Sequence, residues 1–353
     1  MDATSKRDIR ALSKDEMVEF LEANGEKAFR AKQVYQWIWQ KSVTSFDQMT
    51  NLSKATRALL EQHFKFNTLA VDVMQRSKDG TIKNAVKLHD GAIVESVLIP
   101  TSTRITACIS SQVGCSLDCT FCATATLKRM RNLTPDEIYD QVAVIKAQAQ
   151  EYFDRPLTNI VFMGMGEPLL NYNNVLAAID KITNPKGLGM SPRRITLSTV
   201  GIPKMIKKLA DDQVRFNLAV SLHSAIDDKR TTLMPFNKRG GLTELRDALL
   251  YWYRETGKPV TYEYVVWKGV NDTEEDAKAL ARFCGAIPSK VNLIQYNTIE
   301  GEPYQAASRE AVAMYVDILD RAGHTATIRI SRGSDIDAAC GQLANVAVET
   351  DRS

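Results

Sequence analysis

No stretch of this 353-residue sequence approaches the roughly 18 consecutive apolar residues of a membrane-crossing helix, so no membrane association is expected. The N-terminus, Met1-Asp-Ala-Thr-Ser-Lys-Arg-Asp, lacks the apolar centre of a signal peptide. The six cysteines are too few and too unevenly spaced for a secreted disulfide framework. Short internal repeats and low-complexity tracts are also missing. A cytoplasmic protein in a reducing compartment is the expectation. Net charge is only +3, and 44% hydrophobic with 25% charged residues is ordinary for a globular chain. The length allows two domains, or one large α/β domain with an appendage.

The placement of charge says more than its sum. Residues 1–90 hold 15 Lys and Arg against 12 Asp and Glu, which is the whole excess. Between Lys27 and Lys65, Lys27, Arg30, Lys32, Lys41, Lys54, Arg57 and Lys65 face only Asp47 and Glu61. Such a module suits contact with phosphate; a solvated helical face is the plainer reading of the same charges.

Residues 13–24 and 28–41 carry helical periodicity, with Val34, Trp37, Ile38 and Lys41 on one stripe. Ser53 is placed to cap a third helix running to Phe64. Trp37 and Trp39 are of a type that stacks on bases, although helical aromatics are more often core. Residues 69–75, 81–88 and 93–99 alternate as short strands separated by Lys78-Asp79-Gly80 and Asp90-Gly91, which are hairpin signals. Glu95 lies in the last of these strands, where a carboxylate is ordinarily solvated.

From residue 105 the pattern alternates between strand and helix. Strands are expected at 105–110, 159–164, 194–199, 215–222, 260–267 and 291–296, with a last one at 326–330. Helices are expected at 135–150, 173–183, 203–210, 243–256, 273–284 and 309–322. Six β/α units imply a parallel sheet covered by helices: an open, partial barrel rather than the closed eight-unit form. The expected organisation is a helical accessory domain (1–66), an antiparallel β linker (67–100), the barrel (101–335) and a C-terminal segment (336–353).

The chemistry-bearing residues fall at the ends of the strands, where β/α folds place their sites. Cys115, Cys119 and Cys122 follow the first at C-x3-C-x2-C spacing. Three thiolates so close can hold three irons of a [4Fe–4S] cube, leaving one iron open to another ligand. Four-coordinate zinc would need a fourth Cys or His, and no His follows at ligand spacing. Gly166 and Glu167 follow the second strand, Ser198 the third, Ser221, Leu222 and His223 the fourth, and Asn297 the sixth. Each is weak alone, since a Gly-x-Gly is often a turn and a lone His often structural. Their joint placement is the stronger signal.

The cysteine spacing, with Phe121 before the last Cys, is similar to the signature of radical S-adenosylmethionine (SAM) enzymes, and Gly166-Glu167-Pro168 looks like their "GEP" element. More narrowly, Ser191-Pro192-Arg193-Arg194, Ser198-Thr199-Val200-Gly201, Asn292-Leu293-Ile294 and the run from Asp335 to Leu343 resemble the adenine-C2 RNA methyltransferases of the RlmN type. Phe29-Arg30-Ala31-Lys32-Gln33 and Met49-Thr50-Asn51-Leu52-Ser53 resemble that family's accessory domain.

The resemblance implies a cluster on Cys115, Cys119 and Cys122, and SAM contacts at Gly166, Glu167, Ser198, Ser221, Leu222, His223 and Asn297. Two SAM molecules are consumed per turnover. It implies that Cys340 carries the methyl group and that Glu95 accepts the proton of the target carbon. Cys108 then resolves a protein–RNA adduct through a transient disulfide with Cys340. The implied substrates are an adenosine of the peptidyl-transferase centre of 23S rRNA and the adenosine beside the anticodon of some tRNAs. A one-electron reductant such as a flavodoxin system is the implied further partner, and a monomer the expected state. Cys284 is left as a small core residue. The Lys128-Arg129-Met130-Arg131 segment joins the basic helices as a candidate RNA contact. Sister Cfr-type enzymes, which act on adenine carbon 8, share the cysteines; Pro168-Leu169-Leu170-Asn171 is the RlmN-like form. A radical SAM enzyme that activates another protein, and an RNA-binding protein with a structural cluster, remain as alternatives.

Overall fold

A computed structural model describes residues 6–299 and 301–344. Residues 1–5, residue 300 and residues 345–353, the end of the expected C-terminal segment, lie outside the described residues.

Three helices open the chain. Ser13 caps α1 (Lys14–Ala23) in a reciprocal box with Glu16, and Ser53 caps α3 (Lys54–His63) by accepting from the Thr56 amide. Between them, α2 (Phe29–Trp39) turns Ala31, Val34, Ile38 and Trp39 inward. Trp39 is core, its ring edge-on to Tyr139 at 5.0 Å. Trp37 is half-buried, donates to Asn51 and has Lys41 over its ring at 3.5 Å. A buried Arg10, paired with Asp8 (3.2 Å) of its own unit, ties this unit to the barrel through Asp136 (3.2 Å) and Asp140 (2.6 Å).

Ten strands form one sheet whose spatial order is the chain order. The meander β1 (Ala70–Arg76), β2 (Ile82–Lys87) and β3 (Ile93–Pro100) is antiparallel and continues into β4 (Ile105–Cys108). From β4 the sheet is parallel through β5 (Asn159–Phe162), β6 (Ile195–Thr199), β7 (Asn217–Ser221), β8 (Val260–Val266), β9 (Ser289–Gln295) and β10 (Thr325–Arg329). The strands read as a linker are thus hydrogen-bonded to the barrel as its antiparallel flank. The crossovers carry α4 (Pro135–Phe153), α5 (Tyr172–Thr183), α6 (Pro203–Asp211), α7 (Gly241–Thr256), α8 (Glu274–Cys284) and α9 (Arg309–Arg321).

Among the described residues β10 pairs only with β9 within the sheet, which leaves the barrel open there. The sheet nevertheless curls, because Thr106, Thr196, Thr261, Asn292 and Thr327, from five different strands, line one cavity of about 520 Å³. Cys284 is 1% exposed, the expected core residue. A short helix, Asp227–Leu233, was not legible: its run of Asp, Lys, Arg and Thr has no apolar periodicity. Among the described residues no helix is long and apolar enough to cross a membrane.

Candidate active site at the carboxyl ends of the parallel strands

After Cys108 ends β4, a two-residue ladder pairs Gln112–Val113 with Arg131–Asn132 and closes the base of the cysteine loop. The Cys115 amide donates to Leu127 O (3.1 Å) and the Cys122 amide to Cys119 O (3.2 Å). Cys115, Cys119 and Cys122 line one cavity and none is in a disulfide. Burial pushes the Cys115 thiol up to about 11 and the Cys119 thiol well above its ordinary value, and the neighbouring thiols add to both shifts. Three thiolates in such a place need a positive partner, and metal binding releases their protons. Among the described residues no three His, Cys, Asp or Glu side chains converge as ligands of one ion. The thiolates of a cubane need not converge, since each takes a separate iron, so this donor set fits a [4Fe–4S] cluster.

The other loops close over the same cavity. Gly166 sits at φ +90°, and a Cβ there would fall on the Gln112 side chain, 2.7 Å from its Cγ. Only glycine fits both constraints. The Glu167 carboxylate is 3% exposed and accepts from the Leu169 amide (3.0 Å) and the Val200 amide (2.8 Å). Burial pushes its pKa up to about 7 against the pull of those amides. The carboxylate thus shapes the turn. His223, at φ +57°, accepts through Nδ1 from the Val265 amide (3.2 Å). Burial, with Arg230 adding, lowers its pKa to about 3, so the ring is neutral. Ser198, Ser221, His223 and Asn297 all line the cavity. Leu222 does not: it is 0% exposed and packs in the core.

Cys340 arrives from the far end of the chain. Its segment is stitched to the cysteine loop by Ala123 N to Gly341 O (2.7 Å) and Thr124 Oγ1 to Leu343 O (2.6 Å), and to the loop after β9 by Asn297 Nδ2 to Cys340 O (3.4 Å). Cys340 lines both the cluster-side cavity and the threonine-lined cavity beneath it, which Cys108 also lines. The Cys108 thiol is pushed up to about 12, chiefly by burial and then by Cys340, with Arg329 opposing. The fold thus gathers five of the six cysteines at one end of the barrel.

Two family descriptions match the chain. Residues 7–66 match the ribosomal RNA large subunit methyltransferase N-terminal domain, and residues 109–284 the radical SAM superfamily. A probable dual-specificity RNA methyltransferase RlmN of Christiangramia forsetii is 64% identical over 96% of this chain and 97% of its own length. The dual-specificity RNA methyltransferase RlmN of an Anaeromyxobacter species is 45% identical over 96% of this chain and 90% of its own. The chain belongs to the RlmN family. A crystal structure of a radical SAM methyltransferase from Sphaerobacter thermophilus superimposes with a TM-score of 0.90 at 39% identity, covering 96% of this chain and 99% of that one. The fold is therefore that of radical SAM methyltransferases, with the helical unit in front.

Against the expectation from its alternating strand, Glu95 is not solvated. It is 1% exposed, lines neither cavity, pairs with Lys83 (3.3 Å) and accepts from the Ala344 amide (2.9 Å). In the basic segment, Arg131 is held by Glu137 (2.7 and 2.8 Å) and Asp90 (2.7 Å), whose carboxylates offset its charge. Arg230 was hidden in the sequence among neighbouring charges. It is 2% exposed and donates to Leu222 O (3.1 Å) and Val200 O (2.5 Å), joining the loops after β6 and β7. Glu263 and Arg329 also line both cavities. A charge in the middle of an apolar strand was the available signal for Glu263.

Proposed function

We propose that this enzyme methylates carbon 2 of adenosine in 23S rRNA and in some tRNAs, through a methyl-cysteine on Cys340. The observation that carries this reading is the seating of Cys340 beside the cluster loop, on a cavity it shares with Cys108. A methyltransferase that used SAM directly would need neither cysteine. The cluster and two SAM molecules would supply, per turnover, an electron, a methyl group and a carbon-centred radical.

The chain's own residues do the rest. Cys115, Cys119 and Cys122 would hold the cluster, leaving one iron to take SAM. The backbone at Gly166 and Glu167, with Ser198, Ser221, His223 and Asn297, would hold SAM in place. Cys340 would accept the methyl group. One C–H bond of that group would break, its hydrogen atom going to the radical that SAM supplies, and its carbon would bond the target carbon of the base as a tether. The odd electron left on the base would return to the cluster as the proton leaves. Glu95 takes the proton from the target carbon and becomes a carboxylic acid. Cys108, as thiolate, attacks the Cys340 sulfur. The bond from that sulfur to the transferred carbon breaks, its electron pair leaves with the carbon, and a proton completes the methyl group. An outside dithiol reduces the resulting disulfide, and a flavodoxin-type donor supplies single electrons. The target base must leave its stack to reach the cavity. The exposed Lys27, Lys32 and Lys54 and the Phe29 ring, 52% exposed with Arg30 over it at 5.0 Å, offer phosphate and base contacts for the surrounding RNA.

Anaerobic reconstitution with an rRNA fragment or tRNA, SAM and a reductant, followed by nucleoside mass spectrometry, tests the reading. The expected product is 2-methyladenosine. A methyl group at carbon 8 would overturn the position, and full activity in Cys340→Ala would overturn the carrier. Cys108→Ala is expected to accumulate a covalent protein–RNA adduct visible on a denaturing gel.

A further inference from the structure

On the antiparallel flank, Ala85 of β2 stands opposite Glu95 of β3, which puts Lys83 diagonally next to Glu95 on the same face. The Lys83 ammonium lies 3.3 Å from Glu95 Oε1, with side chains 6% and 2% exposed. Each partner also reaches the C-terminal segment. Glu95 Oε2 accepts from the Ala344 amide at 2.9 Å, and Lys83 Nζ donates to Asp337 O at 3.4 Å. One buried ion pair therefore grips the chain on both sides of Cys340. Asp335 adds bonds to Ser77 Oγ (2.6 Å) and the Lys78 amide (3.2 Å) from the same flank.

This arrangement conflicts with a single resting place for the segment. A carboxylate capped by Ala344 and lining neither cavity receives no proton from a base. The segment must lift from Glu95 for that step. Once it lifts, a carboxylate in a dry site without its amide donor is costly unless a fixed cation stays beside it. Lys83 meets that need, because it stands on the paired strand β2 and not on the segment.

We propose that Lys83 is a positioning residue of the methyl transfer: paired with Glu95 it latches the Cys340 segment when seated, and it holds the Glu95 carboxylate in place when the segment lifts. The proposal rests on Glu95 as the proton acceptor. Its test compares Lys83→Met, Lys83→Arg and Glu95→Gln in the reconstituted holoenzyme by two readouts. The first is hydrogen exchange at the amides of residues 338–344 without RNA. Loss of the latch is expected to speed it about tenfold in Lys83→Met, with exchange in α4 and α7 unchanged. The second is the partition of a single turnover between protein–RNA adduct and methylated base. Lys83→Met and Glu95→Gln are both expected to stall as adduct, and Lys83→Arg to restore release. A merely structural pair would lower both adduct and product without changing their ratio. Stalling in Glu95→Gln with wild-type exchange and release in Lys83→Met overturns the role of Lys83 alone. Normal release in Glu95→Gln overturns the acceptor itself. Should Lys83→Met fail to fold, Lys83→Gln, which keeps a donor without the charge, carries the same comparison.

Discussion

His223 shows how one residue's surroundings set its chemistry. Its ring meets Phe121 edge-on at 4.8 Å and Trp267 at 5.7 Å, and its Nδ1 is occupied by the Val265 amide. Burial holds its pKa near 3, far below the unfolded value of about 6.5. Below that unfolded value the open chain takes up a proton that the folded chain refuses. Stability is therefore lost as pH falls from about 6.5 towards 3. A non-titrating His223→Gln is expected to flatten the slope of unfolding free energy between about pH 6.5 and 4.5, read by denaturant titration. The imidazole itself is expected to show no titration by NMR between about pH 5 and 8. The same residue illustrates what sequence makes legible. Its place after a strand was readable, but its neutrality depends on Phe121, Arg230 and Trp267 arriving from other parts of the chain.

At the scale of elements, the turns after the strands hold the site. The turn at Gly166 needs a left-handed backbone and tolerates no Cβ, because Gln112 of the neighbouring ladder packs against it. Gly166→Ala forces a strained backbone costing about 1–3 kcal/mol and displaces Gln112, which accepts from the Glu167 amide at 2.9 Å. Calorimetry is expected to show SAM binding at least about tenfold weaker in this variant, the factor that ~1.4 kcal/mol produces. The helices and strands were largely readable, because apolar periods of 3.6 and 2 persist along each one. The short Asp227–Leu233 helix was not, since its packing rests on Leu233 and on the buried Arg230 and not on an apolar stripe.

Across the whole molecule, the helical unit and the barrel are joined through a charge cluster as well as apolar packing. Arg10 is surrounded by Asp8, Asp136 and Asp140, and burial already raises Asp140 to about 6 although Arg10 pulls it down. Arg10→Met removes the cation at the centre of that cluster and is expected to cost about 3–5 kcal/mol near pH 8, because carboxylates are left buried and unpaired. Without Arg10 the folded pKa values of Asp136 and Asp140 rise further above the unfolded ones, so the folded state gains protons as pH falls. The destabilisation is therefore expected to be smaller at about pH 5 than at about pH 8 in denaturant melts. On the outer face, replacing the exposed Lys27, Lys32 and Lys54 by Gln is expected to weaken RNA binding. The slope of log K against log salt should flatten by about 0.7–0.9 for each phosphate the protein ceases to neutralise, measured by binding titrations across salt concentrations.

The alternation of strands and helices, the open barrel and the cluster loop can all be read from the sequence, because periodicity and close cysteine spacing are local properties. The meeting of Cys340 with Cys108 is not local. More than two hundred residues separate them, and only the curl of the sheet and the stitching of residues 341–343 to the cysteine loop bring them to one cavity. Likewise Glu95 sits in an ordinary alternating strand by sequence. Its burial, its ion pair with Lys83 and its hold on the last described residue, Ala344, follow from the way the C-terminal segment lies across the antiparallel flank. Side-chain burial depends on what packs above a strand, and that is a property of the assembled chain.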